Sequence, residues 1–375
     1  MPLRATAAVN LAAIQRNVAT LRATLAEGAA LCAVVKAGGY GHGAAPAGRA
    51  ALAGGASSLA VATAVEAAEL RDAGIEAPVL VMGAVSDEEL DIAIAARAEL
   101  AAWDPAFVER VLRRAAGGPP VRLHVKLDTG MGRLGTRDHS QALEVAERIA
   151  RSGSPLQLAG AMTHFATADG DPEFLARQLA AFEPFAQELR RREPSIAVHA
   201  ANSAATVREP RSHHTLVRCG IAIYGCDPMH DDPATYGLEP ALELCSYVAA
   251  VKRARPGDSA GYGRRFVAQR DTWIGTLPIG YADGIRRALT NNCEVLIGGR
   301  RHPLVGTVSM DNITVDLGPE LVASVGDAAT IIGRDGDERQ TAEDLARRID
   351  TISYEILTGI SRRVPRIYHR DGQPA

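Results

Sequence analysis

Lysine is almost missing from this chain. Among 41 lysines and arginines in 375 residues, only Lys36, Lys126 and Lys252 are lysine. Arginine fills nearly every structural cationic position, so each lysine calls for a reason: a desolvated lysine can lose its proton, and arginine cannot. Cysteine is sparse too. Cys32, Cys219, Cys226, Cys245 and Cys293 are odd in number and scattered. They show no CxxC or Cys/His spacing, which excludes a zinc site and a disulfide framework and leads us to expect reduced thiols in a cytoplasmic protein. No apolar run reaches transmembrane length. A formal net charge of -3 gives no reason to expect a nucleic-acid or membrane partner. The first residues, MPLRATAAVNLAAIQRN, are too polar after Leu11 for a signal-peptide core. They are expected to lead into an amphipathic helix over residues 9–26, with Asn10 as N-cap.

What the chain does have is a beat. Apolar runs recur near 31–36, 58–62, 78–82, 98–102, 121–127, 156–163, 196–200 and 216–223. Segments at helical spacing lie between them, at 64–73, 86–96, 104–116, 138–152 and 172–192. Strands alternating with helices imply a parallel sheet with helical crossovers. Eight such units predict an α/β fold, a closed (β/α)8 TIM barrel. The rival is an open doubly wound sheet, but no GxGxxG follows the first strand. After about residue 230 the beat stops. Short apolar runs at Thr272–Leu277, Cys293–Ile297, Thr307–Val308 with Ile313–Leu317, and Ala328–Ile332 are broken by turn residues, which predicts a mostly β C-terminal domain. The expected domains are 1–230 and 231–375, with 226–240 as linker and a short helix at 341–350.

One stretch stands out, LCAVVKAGGYGHG at residues 31–43. A short apolar run ending in a lysine and a glycine turn reads as a buried strand with its lysine at the C-terminal end, where barrels keep their chemistry. A desolvated, neutral amine there suits a Schiff base; a lysine snorkelling from a strand end is the alternative. The stretch resembles the cofactor-lysine motif of alanine racemases, AVVKANAYGHG, with Gly38 in place of Asn and Gly39 in place of Ala.

Further motifs carry the same resemblance in the expected order across the chain. VKLDTGMGRLG (125–135) contains Lys126 and Arg133, AMTHFATAD contains His164, and LVRCGIAIYG contains Arg218, Gly220 and Ile221. AGYGRRF contains Tyr262, LPIGYADG contains Tyr281, and GTVSMDNITVDL contains Met310. From the residues alone, several readings stay open. Arg218 could pair with an acid, His164 could be a satisfied strand-end histidine, Lys126 could pair with Asp128, and Tyr262 could be a packing tyrosine. The loops after strands seven and eight hold Ser203 and Gly220, a hydroxyl and a backbone suited to an anion.

The resemblance implies pyridoxal 5'-phosphate as cofactor, bound to Lys36, with Tyr40, Ser203, Gly220, Ile221 and Tyr354 around its phosphate. It implies Arg218 at the ring nitrogen, His164 hydrogen-bonded to Arg218 and Tyr262, a carbamate on Lys126 paired with Arg133, and substrate carboxylate contacts from Arg133 and the Met310 backbone. Tyr281 is expected near the substrate entrance. The implied activity is an isomerase interconverting L- and D-alanine, supplying D-alanine for peptidoglycan. Tyr262 would take the proton of L-alanine and Lys36 that of D-alanine, in a homodimer that shares each site between subunits. Two other classes remain on the same barrel: a basic amino acid decarboxylase, which would set an acid where Arg218 stands, and a single-domain pyridoxal phosphate-binding protein, which would lack Tyr262.

Overall fold

The structure, a computed structural model, describes residues 3–115 and 117–375. The chain divides into two compact units. One comprises Ile14–Gly39 and Ala44–Ile223; the other comprises the N-terminal residues through Ala13, Tyr40–Gly43 and Tyr224–Ala375.

The strands are β1 (Ala5–Asn10), β2 (Ala30–Val34), β3 (Ser58–Val61), β4 (Val79–Val81), β5 (Glu99–Ala102), β6 (Val121–Lys126), β7 (Leu156–Met162), β8 (Ala197–His199) and β9 (Leu216–Cys219). Strands β2 to β9 form one parallel sheet in the order β8-β7-β6-β5-β4-β3-β2-β9. Its two ends meet through hydrogen bonds from Thr215 N to Val198 O (3.1 Å) and from Arg218 N to Ala201 O (2.9 Å), so the sheet closes as a barrel. The eight expected strands are these eight. Their residues are mostly Ala, Val and Leu and mostly buried, as strands covered on both faces must be.

The helices between them start where side chains satisfy the free amides of the first turn. Thr63 and Ser86 form capping boxes with Glu66 and Glu89. Asp104 and Asp171 cap helices that open on Pro105 and Pro172, a residue that gives up only an amide with no intrahelical partner.

The second unit is mostly β. Its further strands are β10 (Leu242–Tyr247), β11 (Ala250–Ala254), β12 (Ser259–Ala260), β13 (Phe266–Val267), β14 (Thr272–Leu277), β15 (Glu294–Ile297), β16 (Arg300–Pro303), β17 (Ile313–Gly318), β18 (Ala328–Asp335), β19 (Glu338–Gln340), β20 (Arg366–Arg370) and β21 (Gln373–Pro374). They make an eight-stranded sheet β16-β15-β18-β10-β1-β20-β21, with β19 on β18, together with a three-stranded sheet β11-β14-β17 and the hairpin β12-β13.

Two expectations need correction. The N-terminal segment is not helical from residue 9: β1 comes first, antiparallel to β10 and parallel to β20. Its ATAAVN sequence is rich in alanine, a weak strand former, and pairing on both edges overrides that preference. The helix then runs Leu11–Ala23, with Asn10 Oδ1 accepting from Ala12 N (3.1 Å) and Ala13 N (3.4 Å). Thr307 and Val308 lie in no strand; they form part of a backbone crossing next to Tyr262.

One buried carboxylate ties distant parts of this unit together. Asp283 is fully buried. It receives a forked pair from Arg4 at 2.6 and 2.9 Å, a second pair from Arg363 at 2.7 and 3.3 Å, and the Gly280 amide at 2.8 Å. Burial pushes its carboxyl up, but the bonds from Arg4, Arg363 and Gly280 together outweigh burial and hold it below the usual range. A carboxylate with a lowered folded pKa adds stability above its unfolded pKa of about 4 and loses it as pH falls through the folded value. Asp283→Asn should therefore lower the melting temperature at pH 7, and the gap to wild type should close progressively below about pH 4. Melting curves across pH 2–7 check this; a gap independent of pH would contradict it.

Candidate active site

The turn after β2 has an unusual backbone. Ala37, Gly38, Gly39 and Tyr40 all have positive φ, at 53, 61, 64 and 52°. Four consecutive left-handed residues are costly for L-amino acids and nearly free for glycine. The two glycines lower that cost at the middle of the turn. Glu66 holds its start: one carboxylate oxygen accepts from Ala37 N at 2.6 Å, while the other accepts from Ala62 N (2.8 Å) and Thr63 N (3.2 Å). Gly39 N closes onto Val35 O at 2.8 Å. Lys36, half-buried at the head of this turn, is set by the backbone. Burial lowers its pKa first and the charge of Arg133 lowers it further, against an upward pull from Glu66.

Around Lys36 the barrel unit gathers cations. Lys126 is pressed down to about 8, by burial first and then by Arg218 and Arg133, with Asp128 opposing. Asp128 does not pair with it. Its carboxylate is taken by the amides of Gly130 (3.1 Å) and Gly132 (3.0 Å) and by Arg137 Nε (3.3 Å). Among the described residues no carboxylate forms an ion pair with Lys36, Lys126, Arg133 or Arg218.

Arg218 has no acidic partner either. Its terminal nitrogens donate to the carbonyls of Thr163 (2.8 Å), His199 (2.9 Å) and Ala200 (3.1 Å). They also donate to His199 Nδ1 (2.9 Å) and His164 Nδ1 (3.2 Å). Arginine can only donate, so both imidazoles must accept at Nδ1 and carry their proton on Nε2. His199 Nε2 then donates to His124 Nδ1 (2.8 Å), and His124 Nε2 donates to Glu99 (2.7 Å). One directed chain of donors thus runs from Arg218 to the Glu99 carboxylate, and every tautomer in it follows from Arg218. Burial first and the Arg218 charge second push His164 and His199 well below the ordinary histidine value, so both are neutral. Arg218, lowered by burial to about 10, stays charged. Its Nε is buried and has no partner.

Ser203 Oγ accepts from Gly220 N (2.9 Å) and Ala222 N (3.4 Å), and Ile221 lies between them, fully buried. In the other unit, Tyr40 stacks on Tyr224 at 5.1 Å between centroids and meets Tyr354 at 5.8 Å. Tyr262 and Met310 also belong to that unit and are 74 % and 51 % exposed; Tyr281 is exposed as well. The Tyr281 and Met310 segments are zipped together, by Tyr281 N to Ser309 O and Ala282 N to Met310 O, both at 3.0 Å.

Comparison with known proteins decides the family. A profile described as "Alanine racemase, N-terminal domain" matches residues 9–228, and one described as "Alanine racemase, C-terminal domain" matches 241–368. The chain belongs to the alanine racemase family. The alanine racemase of Geobacillus kaustophilus is 43 % identical over 97 % of this chain and 94 % of its own length. Alanine racemase 1 of Bacillus subtilis is 39 % identical over 98 % and 93 %. The crystal structure of alanine racemase from the D-cycloserine producer Streptomyces lavendulae superposes with a TM-score of 0.92 at 37 % identity, covering 98 % of both chains. That of Bacillus anthracis, solved with L-Ala-P bound, gives 0.91 at 36 %, covering 100 % and 97 %.

Sequence motifs of the racemase family lead to Lys36, Lys126, Arg133, His164 and Arg218, which the barrel unit brings together. They do not lead to Glu66, Glu99, His124 or His199. Glu66 leaves a trace in the Thr63-x-x-Glu66 capping pattern. His124 and Lys126 alternate on β6, so they share one face of a buried strand; two polar residues in that pattern are a signal. Nothing local marks Glu99 or His199.

The glycine pair gives a measurable expectation. Gly38→Ala should cost about 1 kcal/mol for its left-handed φ, since an added Cβ meets nothing within 4 Å. Gly39→Ala should cost more, about 2 kcal/mol, because its Cβ would lie 3.2 Å from Ala44 N. Urea unfolding of the two variants measures both; equal costs would contradict the contact.

Proposed function

We propose that the protein interconverts L-alanine and D-alanine with pyridoxal 5'-phosphate, using Lys36 and Tyr262 as bases on opposite faces of the substrate. The observation that carries this reading is the group of cations around Lys36 in the barrel unit: among the described residues no carboxylate pairs with them, and one buried donor, Arg218 Nε, is left unused. That donor set fits an anionic group with a ring nitrogen to accept from Arg218, and the Ser203 hydroxyl, which accepts from the Gly220 and Ala222 amides and can donate its own proton, fits its phosphate. When bound, the cofactor supplies an electrophilic carbon for amines and a ring that delocalises the charge left when the α-proton departs.

The residues divide the work as follows. Tyr40, Ser203, Gly220, Ile221 and Tyr354 would hold the phosphate. Arg218 would donate to the ring nitrogen and, being unable to accept a proton, would keep it from drawing charge as a protonated ring does. That suits proton removal and return with few side reactions. His164, neutral and bonded to Arg218, orients it. Lys36, lowered by burial, can exist as the free amine that takes and returns a proton. Lys126 near pKa 8 presents an amine to carbon dioxide; as a carbamate it would pair with Arg133 and fix that guanidinium for substrate carboxylate, which the Met310 backbone would also meet. Tyr262, exposed on its own unit, would complete the site of a second subunit in a homodimer. The product would serve peptidoglycan synthesis in the cytoplasm.

A chiral assay with purified protein should show alanine racemisation and no carbon dioxide release from lysine or ornithine; the reverse would favour the decarboxylase reading. Borohydride reduction and peptide mapping should place a pyridoxyl label on Lys36. Lys126→Ala should lose at least about tenfold in kcat, a loss of roughly 1.4 kcal/mol in transition-state stabilisation, and acetate should partly restore it. Full activity in Lys126→Ala would remove the carbamate from the account.

The shared site can be tested by mixing. Lys36→Ala and Tyr262→Phe should each be nearly inactive. Refolded together, about half the dimers are mixed, and each mixed dimer has one intact site, so activity should return to about a quarter of wild type. If each site is instead built within one chain, no activity returns.

A further inference from the structure

Tyr262 stands on a short loop with little regular structure of its own. The flanks of this loop are anchored by packing: Ala260 and Phe266 sit against the buried cluster of Ala254, Ala268, Ile274 and Val305. Between the flanks, the backbone passes through Gly261 (φ 76°), Tyr262, Gly263 (φ 70°) and Arg264 (φ 48°). Two glycines around a base give a loop many alternative conformations, so something else must choose one.

The choice is made by a second backbone segment, 305–308. Val305 is fixed to β17 through the Thr314 carbonyl at 2.9 Å. The two segments approach backbone to backbone. A Cβ at Gly261 would lie 2.8 Å from Thr307 N, and one at Gly306 would lie 2.5 Å from Ala260 O, so both positions need glycine. Two side chains bridge the segments. Thr307, buried, donates its hydroxyl to the Tyr262 carbonyl at 2.7 Å. Asn291 accepts from Gly306 N at 2.6 Å and donates to the Arg265 carbonyl at 3.1 Å. Asn291 is itself left-handed at φ 54°, a conformation asparagine adopts more readily than most residues. One staple thus grips the Tyr262 backbone, and the other ties the far end of the loop to the same segment.

We infer that Thr307 and Asn291 are positioning residues that hold Tyr262 in place for its proton transfer. This rests on the reading of Tyr262 as a base. Within its own chain Tyr262 is largely exposed, so what its own chain contributes to placing the phenol comes through the loop backbone. Displacing a reacting group by about 1 Å can cost roughly 100-fold in rate.

The test uses the full-length protein with its cofactor and the variants Thr307→Val, Thr307→Ser, Asn291→Gly and Tyr262→Phe. Valine keeps the shape of threonine without the donor, serine keeps the donor, and glycine at 291 keeps the left-handed backbone without either bond. Thr307→Val and Asn291→Gly should lower kcat by roughly ten- to a hundredfold with little change in KM, and Thr307→Ser should stay near wild type. The isotope effects should diverge. With α-deuterated L-alanine, proton removal falls to Tyr262, so slowing that step raises the effect. With α-deuterated D-alanine, removal falls to Lys36 and the later Tyr262 step limits the rate, so the effect falls. A merely structural role would not split the two directions. Unchanged rates in Thr307→Val and Asn291→Gly beside an inactive Tyr262→Phe would overturn the positioning role alone, as would isotope effects that shift the same way for both enantiomers. Full activity in Tyr262→Phe would overturn the base assignment and this inference with it.

Discussion

The barrel unit depends on a collection of positive charge that no carboxylate among the described residues pairs with directly. Burial first lowers the proton affinity of Lys36 and Lys126; the charge of Arg133 lowers both further, and Arg218 and Lys36 add to the effect at Lys126. Lys126 and Arg218 are buried, Lys36 is half-buried and Arg133 is exposed beside them; in an ordinary core the two buried cations would be replaced or matched by an acid, because an unpaired buried charge is expensive. Here the nearest acids are engaged elsewhere. Asp128 is occupied by backbone amides and Arg137. Glu66 is occupied by the turn at Ala37 and its own helix start. The resulting cost is the physical reason to expect an anion in this place, and it makes both lysines easier to deprotonate.

Arg218 organises the polar interior. Because it can only donate, it imposes one orientation on His199, and through it on His124, with the chain ending at Glu99. A histidine able to reverse its tautomer would make such a chain ambiguous. Anchoring one end on arginine and the other on a carboxylate removes the ambiguity. The three backbone carbonyls that also accept from Arg218 lie at or just past the ends of β7 and β8, so closure of the barrel and placement of the guanidinium depend on each other.

Backbone conformation does comparable work at two places. Gly38 and Gly39 permit a left-handed turn that presents Lys36 from the end of a strand, and Gly261 and Gly306 permit two chain segments to cross beneath Tyr262. In each case glycine supplies access to a conformation, and side chains select it: Glu66 in the first, Thr307 and Asn291 in the second. The pairing is physically sensible, since glycine alone would leave the chain free.

Sequence by itself determined the eight barrel strands, five of the intervening helices within a residue or two of their ends, the β-rich character after residue 230, and the family. These are legible because hydrophobic period, capping residues and contiguous motifs are local. The rarity of lysine marked Lys36 and Lys126 for the same reason: composition is visible without a fold. Tertiary structure alone decided that Ala5–Asn10 is a strand, since its alanines favour no strand until β10 and β20 flank it. It alone removed Asp128 from Lys126, oriented His199 and His124, and placed Thr307 and Asn291 under Tyr262. Apart from Asp128, whose partners lie within nine residues of it, each of those is a contact between residues far apart in the chain, and which of the many possible long-range partners meet is settled by how strands and loops pack, which no local pattern encodes.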